Sequence, residues 1–261
     1  MNNKTITQGF ILLAAAMLLL TACGPKETDA STVTDPTQPP PADATVQVET
    51  TIVINKNITL DPAKTEDSDS LLVSRNLYEG LVTLGADGTI QPGIAFSWVI
   101  SDDELDYIFE LRSDAAFSDG SVITVEVIEQ NFNRWFEPQN PLHGDGNYPT
   151  WLKLFLAFNG ERDANNRQKS QVDGVQIVDN NTFIVHLNRP EPELLTYLTE
   201  PAFTILSSAS LNNPAYGTRE STIISSGQYV ITDWTDEGMT LSPNPQYWKS
   251  VEDGDLKYIF K

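Results

Sequence analysis

The residue types that most often carry out chemistry are scarce in this sequence. Its 261 residues include a single cysteine, Cys23, and two histidines, His143 and His186. One cysteine rules out an internal disulfide bond and a metal site built from several cysteines. Nucleophile elbows, phosphate-binding loops, dinucleotide-binding glycine patterns and HExxH pairs do not occur. The sequence therefore predicts a protein that is not an enzyme, with no catalytic residue, no cofactor and no metal site, and with both histidines structural or on the surface.

Carboxylates are abundant, but their spacing indicates no particular site. The chain has 36 Asp and Glu against 16 Lys and Arg, a net charge of −20. Asp102-Asp103-Glu104, and Asp67 with Asp69, lack the ligand spacing of a calcium-binding loop. In so acidic a chain such groups are usually solvated turns. The negative charge also argues against nucleic acid as a partner, because binding to phosphates needs cationic side chains.

Cys23 stands out because of its position. Residues 10–20 form an apolar stretch of 11 residues, which is too short for a membrane-spanning helix of about 20 residues. The stretch is typical of the hydrophobic part of a signal peptide. It ends in Leu20-Thr21-Ala22-Cys23, which resembles the bacterial lipobox, whose cysteine is lipidated and becomes the first mature residue. We therefore predict a lipoprotein signal peptide at 1–22 and a lipid anchor on Cys23; an ordinary signal peptide is the alternative.

Residues 23–50 differ in composition from the rest of the chain. They are rich in Pro, Thr, Ala and Asp, with few large apolar side chains before Val46. Such a segment cannot bury enough apolar surface to offset the entropy lost on ordering. It is predicted to be a disordered tether between the lipid anchor and a folded body, so that the protein is extracytoplasmic and held at the cell membrane, on its periplasmic side or outer face.

Residues 51–261 are predicted to form a mixed α/β (α+β) body. Apolar residues at helical spacing predict a helix over 70–80 with Leu71, Leu72, Leu77 and Tyr78 on one face and Gly80 at its end. Further helices are predicted from the cap Thr124 to Pro138, at 151–158 and around 193–198. Strands are predicted at 51–55, 82–84, 95–100, 107–112, 175–178, 182–187, 228–234, 239–241 and 255–261. Asp87-Gly88 and residues 179–181 are predicted turns.

Several motifs occur in the order found in one family. They are Leu60-Asp61-Pro62, Asn76-Leu77-Tyr78-Glu79-Gly80-Leu81-Val82, the stretch from Asp87-Gly88 to Trp98, Tyr107-Ile108-Phe109-Glu110-Leu111-Arg112, Phe117-Ser118-Asp119-Gly120, Ser226-Gly227-Gln228-Tyr229, and Asn244-Pro245-Gln246-Tyr247-Trp248. Together they resemble the oligopeptide/dipeptide-binding family of ABC-transporter substrate-binding proteins, family 5. Most of these residues are expected to be scaffold, with Trp98, Phe109, Phe117, Tyr247 and Trp248 in the core.

The sequence departs from the family pattern in one helix. The family usually has Thr-Ala-x-Asp there, whereas this chain has Thr124-Val125-Glu126-Val127. The reciprocal cap is therefore missing, although Glu126 still places a negative charge in the first turn, which contributes about 0.3–1 kcal/mol. A slightly weaker start to the helix is expected.

The resemblance implies the first lobe of a two-lobed, periplasmic-binding-protein-like (type II) fold. Family members are usually about twice as long, with the ligand enclosed between two lobes. The chain is therefore expected to be truncated before the second lobe, with the ligand-anchoring residues of that lobe missing. An unpaired lobe face would be apolar and prone to association.

The resemblance also implies a function. It predicts an extracytoplasmic solute-binding lipoprotein that captures peptides or peptide-like solutes for an ABC permease and ATPase complex, and contacts the membrane through lipidated Cys23. The loop after Leu60-Asp61-Pro62 approaches the ligand backbone in relatives, so Glu66, Asp67 and Ser68 are the predicted ligand-binding residues. The alternatives are a non-transport surface lipoprotein, such as an adhesin or signalling receptor, or a family member that binds nickel, haem or oligosaccharide.

Overall fold

A computed structural model describes residues 50–261. The helices are α1 (Ser68–Leu77), α2 (Val125–Phe136), α3 (Pro149–Phe155), α4 (Leu194–Tyr197) and α5 (Ser208–Leu211). The strands are β1 (Thr50–Ile54), β2 (Val82–Leu84), β3 (Ile90–Pro92), β4 (Ala95–Ile100), β5 (Asp106–Leu111), β6 (Val172–Ile177), β7 (Thr182–Leu187), β8 (Tyr229–Trp234), β9 (Gly238–Pro243) and β10 (Leu256–Phe260). Short 3-10 helices lie at Pro62–Lys64, Pro141–His143 and Pro201–Phe203. The mixed α/β prediction is confirmed.

The strands form three sheets within residues 50–261. One has the order β1-β10-β9-β8, one is the β2-β3 hairpin, and one has the order β4-β5-β7-β6. Every pairing is antiparallel except that of β1 with β10, which is parallel. The sheets therefore consist of pairings between strands close in sequence plus two long-range pairings, β5 with β7 and β1 with β10.

The larger core lies between α2 and the sheet β4-β5-β7-β6. The apolar stripe of α2 was predicted correctly, because all five of its predicted residues are buried: Val125, Ile128, Phe132, Trp135 and Phe136. The Phe132 ring contacts that of Phe183 on β7, with 5.3 Å between ring centres. Burial of these large side chains is the main force that holds α2 on the sheet.

The start of α2 differs in detail from the prediction. Thr124 is the N-cap residue, but its side chain makes no capping hydrogen bond to the helix backbone. A hydrogen bond with Thr124 instead lowers the pKa of the Glu126 carboxyl. The hydroxyl is therefore used by the first-turn carboxylate.

A second core lies between α1 and the sheet β1-β10-β9-β8. Here the sequence prediction for α1 was wrong in two respects. The buried face is Ser70, Val73, Ser74 and Leu77, while Leu72 is 38% exposed. The Ser74 hydroxyl donates to the Ser70 carbonyl at 2.8 Å, so small polar side chains are satisfied inside the packed face. The helix also ends at Leu77 rather than near Gly80.

Helix α3 is shorter than predicted. It begins at Pro149, a residue favoured in the first turn, and ends at Phe155 because Leu156 adopts a positive φ of 72°. Of the aromatic residues predicted to lie in the core, Phe109 and Phe117 are buried, whereas Trp98, Tyr247 and Trp248 are half-buried. No helix among residues 50–261 has the length and apolar character to cross a membrane.

Candidate ligand-binding site

The parallel strands β1 and β10 lie at one edge of their sheet, with β1 as the edge strand. Thr50 lies opposite Leu256 and Ile54 lies opposite Phe260. The Lys261 backbone N–H donates to the Ile54 carbonyl at 3.1 Å. Residues 55–67 lead from the end of β1 into α1, and they contain the turn Leu60-Asp61-Pro62 and the loop that follows it.

Three hydrogen bonds hold the first half of this loop in place. The Asn55 N–H donates to the Asp69 carboxylate at 2.8 Å, and the Thr59 N–H donates to the Ser70 hydroxyl at 3.1 Å. The Leu60 N–H donates to the Gly217 carbonyl at 2.8 Å. The loop is therefore attached to the first turn of α1 and to a distant part of the chain.

A buried ion pair fixes the centre of the loop. The Asp61 carboxylate accepts hydrogen bonds from both terminal nitrogens of Arg134 on α2. Burial disfavours the charged guanidinium, but attraction to Asp61 outweighs this and raises the pKa of Arg134. Next to it, Lys64 pairs with Asp145 and lies 4.3 Å from the centre of the Tyr148 ring. The 3-10 helix Pro62–Lys64 is thus held from both ends.

The predicted ligand-binding residues follow this helix. The Asp67 carboxylate is the N-cap of α1 and accepts from the Ser70 N–H at 2.7 Å. The Asp67 N–H donates to the Thr65 hydroxyl at 3.0 Å. The Asp67 side chain is therefore engaged within the lobe, whereas Glu66 and Ser68 are exposed.

The backbone of this segment is extended and available. Thr65 has φ −139° and ψ 154°, and Asp67 has φ −68° and ψ 123°. Within residues 50–261, the N–H groups of Glu66 and Ser68 have no hydrogen-bond partner. A fixed, extended segment with free donors is suited to pairing with another extended backbone.

Glu66 also faces side chains that sequence reasoning did not connect with it. It lines a cavity of about 220 Å³ whose other walls are Leu71, Thr150, Lys153, Leu154 and Glu200. Thr150, Lys153 and Leu154 come from α3, and Glu200 follows α4. No sequence pattern links these positions to Glu66, because only the tertiary fold brings them together.

A buried carboxylate lies elsewhere, between α1 and β2. Glu79 is 5% exposed, and its Oε2 accepts from the Tyr247 hydroxyl at 2.7 Å. Its Oε1 is buried without a partner within the described residues. Burial raises the pKa of Glu79 to about 7, although the bond from Tyr247 opposes the shift. The Glu79 carboxyl group therefore makes a buried hydrogen bond within the fold, and its pKa lies near neutral pH.

Both histidines make internal contacts. His143 Nδ1 lies 2.8 Å from the Arg134 carbonyl oxygen, and His143 is buried. His186 Nδ1 lies 2.7 Å from the Asp106 carboxylate on the neighbouring strand. Within residues 50–261, no group of three or more His, Cys, Asp or Glu is arranged to hold a metal ion. Cys23 lies outside the described residues.

Comparison of the sequence with known protein families identifies the family of this chain. Residues 89–259 match the family model of the bacterial extracellular solute-binding proteins, family 5, middle region. That match covers well over half of the chain. The chain belongs to family 5 of the extracellular solute-binding proteins.

The relatives of this family 5 chain are solute-binding proteins. It is 29% identical over 219 residues to the periplasmic oligopeptide-binding protein OppA of Escherichia coli K12, covering 81% of this chain and 39% of that protein. It is 28% identical over 201 residues to the periplasmic murein peptide-binding protein MppA of the same strain, covering 74% of this chain and 35% of the relative. The chain thus spans 35–39% of the length of these two curated relatives.

Solved structures agree on the fold. The lobe superimposes on Listeria monocytogenes OppA bound to peptide with a TM-score of 0.68 and 22% identity, covering 83% of this chain and 43% of that one. It also superimposes on Brucella suis NikA in complex with Fe(III)-EDTA, with a TM-score of 0.64 and 22% identity. This match covers 82% of this chain and 39% of the NikA chain. The described residues therefore have the fold of a single lobe of a family 5 protein, which confirms the predicted fold class.

Proposed function

We propose that the chain supplies the first lobe of an extracytoplasmic solute-binding protein of an ABC importer, and that its ligand is a peptide or peptide-like solute. Membership of family 5 supports a solute-binding role. The choice of peptide is supported by the curated relatives, which include proteins that bind oligopeptides and murein peptides. The further proposal of delivery to a permease and ATPase complex, from a lipid anchor on Cys23, rests on the sequence resemblance.

The observation that carries the proposal is the free backbone of Glu66 and Ser68. Side chains differ between peptides, but every extended peptide offers the same carbonyl acceptors. The N–H groups of these two residues are unpaired within residues 50–261. The Asp67 cap and the Thr65 hydroxyl hold the segment extended, which lowers the entropy cost of binding. We therefore propose that Glu66, Asp67 and Ser68 line the ligand cleft, mainly through their backbone.

A proline substitution tests this without removing the helix cap. Ser68 is the first residue of α1, where proline is well tolerated, and the extended Asp67 that precedes it is compatible with a following proline. Ser68→Pro removes one backbone donor, so we expect peptide affinity to fall about fivefold, the worth of one net hydrogen bond. The measurement is titration calorimetry of the full chain with a mixture of tri- and tetrapeptides.

Ser68→Ala is the matched control, because it removes the hydroxyl but keeps the N–H. It should bind peptides as the unsubstituted protein does, and both variants should unfold at the same temperature as that protein. Equal peptide affinity of Ser68→Pro and Ser68→Ala would contradict the role of this backbone. Because the ligand of family members is enclosed between two lobes, binding to this lobe alone is expected to be weak, and the variants are compared with the unsubstituted chain at the same peptide concentrations.

A further inference from the structure

A second cavity lies between the β2-β3 hairpin and the turn that follows β9. Its volume is about 520 Å³, within the range of small-molecule sites. The residues that matter are Leu84 on β2, Phe96 on β4, Arg112 after β5, and Trp248 with Lys249 after β9. We call it the Trp248 cavity. None of its walls belongs to the Glu66 segment.

Trp248 provides its aromatic wall and holds two cations. The guanidinium carbon of Arg112 lies 3.2 Å from the Trp248 ring centre, and the Lys249 ammonium lies 4.2 Å from it. Arg112 also pairs with Asp114, whose carboxylate lies 2.7 Å from the Arg112 Nε atom. The carboxylate of Asp114 therefore offsets much of the positive charge of Arg112. Lys249 is exposed and forms no ion pair within the described residues, so it carries the free positive charge.

The charge of this cavity is unusual for so acidic a chain. Its walls contain two cations and no Asp or Glu. Four other cavities in residues 50–261 each have at least one carboxylate in their walls. The charges of Lys249 and Arg112 oppose the rise that burial causes in the pKa of Glu79, but Glu79 lines a different cavity. The cavity is therefore complementary to an anion.

The remaining walls point to an apolar anion. Leu84 and Phe96 are 55% and 46% exposed, which leaves two large apolar side chains uncovered at the opening. The Trp248 indole N–H is itself buried, so it reports on a ligand bound beside the ring without being a group that the ligand contacts.

We propose that the Trp248 cavity is a second ligand site, for a small apolar carboxylate. The carboxylate pairs with the Lys249 ammonium beside the Trp248 ring. The hydrocarbon part lies between Leu84 and Phe96. The site is independent of the proposed peptide cleft, because it shares no residue with the segment from Thr65 to Ser68.

The test uses 3-phenylpropanoate as the probe and 3-phenylpropanol as its uncharged counterpart. The full chain, labelled with ¹⁵N, shows the indole N–H of each tryptophan separately, and Trp248→Phe identifies the Trp248 signal. We expect the carboxylate to shift that signal saturably, and the alcohol to bind at least about tenfold more weakly, since a charged hydrogen bond is lost. Lys249→Gln should weaken carboxylate binding by about tenfold as well.

Lys56→Gln is the matched control, because Lys56 is an exposed lysine that pairs with Asp236 and does not line the cavity. It should leave carboxylate affinity unchanged, and Lys249→Gln should leave peptide affinity unchanged. The proposal is overturned if the Trp248 signal does not move at a carboxylate concentration of about 10 mM, the weakest affinity of interest. It is also overturned if the alcohol binds as tightly as the acid, or if Lys249→Gln binds the acid as well as the unsubstituted protein.

Discussion

Asp61 and Arg134 form a two-point ion pair across the interior of the lobe. Asp61 lies in the loop after β1, and Arg134 lies near the end of α2, yet both side chains are nearly inaccessible, at 11% and 7% exposure. The pair therefore joins the loop that leads to the predicted ligand-binding segment to the helix that fills the larger core. Loss of this ion pair is therefore expected to affect both the loop and α2.

Arg134→Met is expected to destabilise the lobe by about 3–5 kcal/mol, because it leaves the Asp61 carboxylate buried and unpaired. The measurement is urea unfolding followed by circular dichroism. Arg219→Gln is the control, since Arg219 pairs with Asp236 in solvent and such exposed pairs contribute about 0–1 kcal/mol. Equal losses in the two variants would show that burial of the Asp61–Arg134 pair has no energetic consequence.

Glu79 makes stability depend on pH. Its pKa is raised from 4.5 to about 7 in the folded protein by burial. The folded state therefore holds the proton more tightly, so its stability falls as the pH rises from about 4.5 through 7 and then levels off. Glu79→Gln removes this titration and should stabilise the protein by about 3 kcal/mol at pH 8, and by much less at pH 4.5.

The measurement for Glu79 is the free energy of unfolding across that pH range. Exposed Glu193 provides the control, because Glu193→Gln should leave the shape of the curve unchanged. The Tyr247 hydroxyl, which donates to Glu79, should remain bonded to the amide oxygen of the variant. A parallel pH curve for Glu79→Gln and the unsubstituted protein would show that this carboxyl does not titrate in the range.

Two glycines separate backbone strain from crowding. Gly217 and Gly88 both have positive φ, 86° and 79°, but only Gly217 has a neighbour: a Cβ there would lie 2.7 Å from the Asp61 backbone nitrogen. Gly88→Ala should cost about 1 kcal/mol through conformation alone. Gly217→Ala should cost about 2–3 kcal/mol because the loop must also move. Thermal unfolding of both variants checks this, and similar losses would mean that the loop yields without cost.

Lipid attachment can be tested on Cys23 directly. The protein expressed in a bacterium should incorporate labelled palmitate, and Cys23→Ala should not, because the thiol is the predicted attachment point. Ser31→Ala, eight positions further on, should remain labelled. Label that persists in Cys23→Ala, or that is absent from the unsubstituted protein, would contradict the lipoprotein prediction.

Local patterns predicted much of the fold. The hairpins and α2 were predicted well because alternating strands, Asp-Gly turns and the stripe of Ile128, Phe132 and Trp135 are encoded within short windows. The buried face of α1 was missed because Ser70 and Ser74, which look like surface residues, are satisfied by backbone partners. The prediction succeeded for α2, where the buried residues are the apolar ones, and failed for α1, where buried residues include polar serines.

The sites were less predictable than the fold. The position of Glu66, Asp67 and Ser68 after the Leu60-Asp61-Pro62 turn was available from the family resemblance, but their role remains a prediction. The approach of Lys153 and Glu200 to Glu66 and the stacking of Arg112 on Trp248 join distant positions. Such contacts depend on tertiary structure, which a single sequence does not display.

The parallel pairing of β1 with β10 also determines the order in which the body can form. Thr50 is made early, and its partner Leu256 follows about two hundred positions later; contacts of such separation form slowly. Within residues 50–261, β1 pairs with no other strand. During synthesis, the hairpins and α2 are able to form as they emerge, while β1 has no partner. The first strand of the body is therefore among the last to be secured.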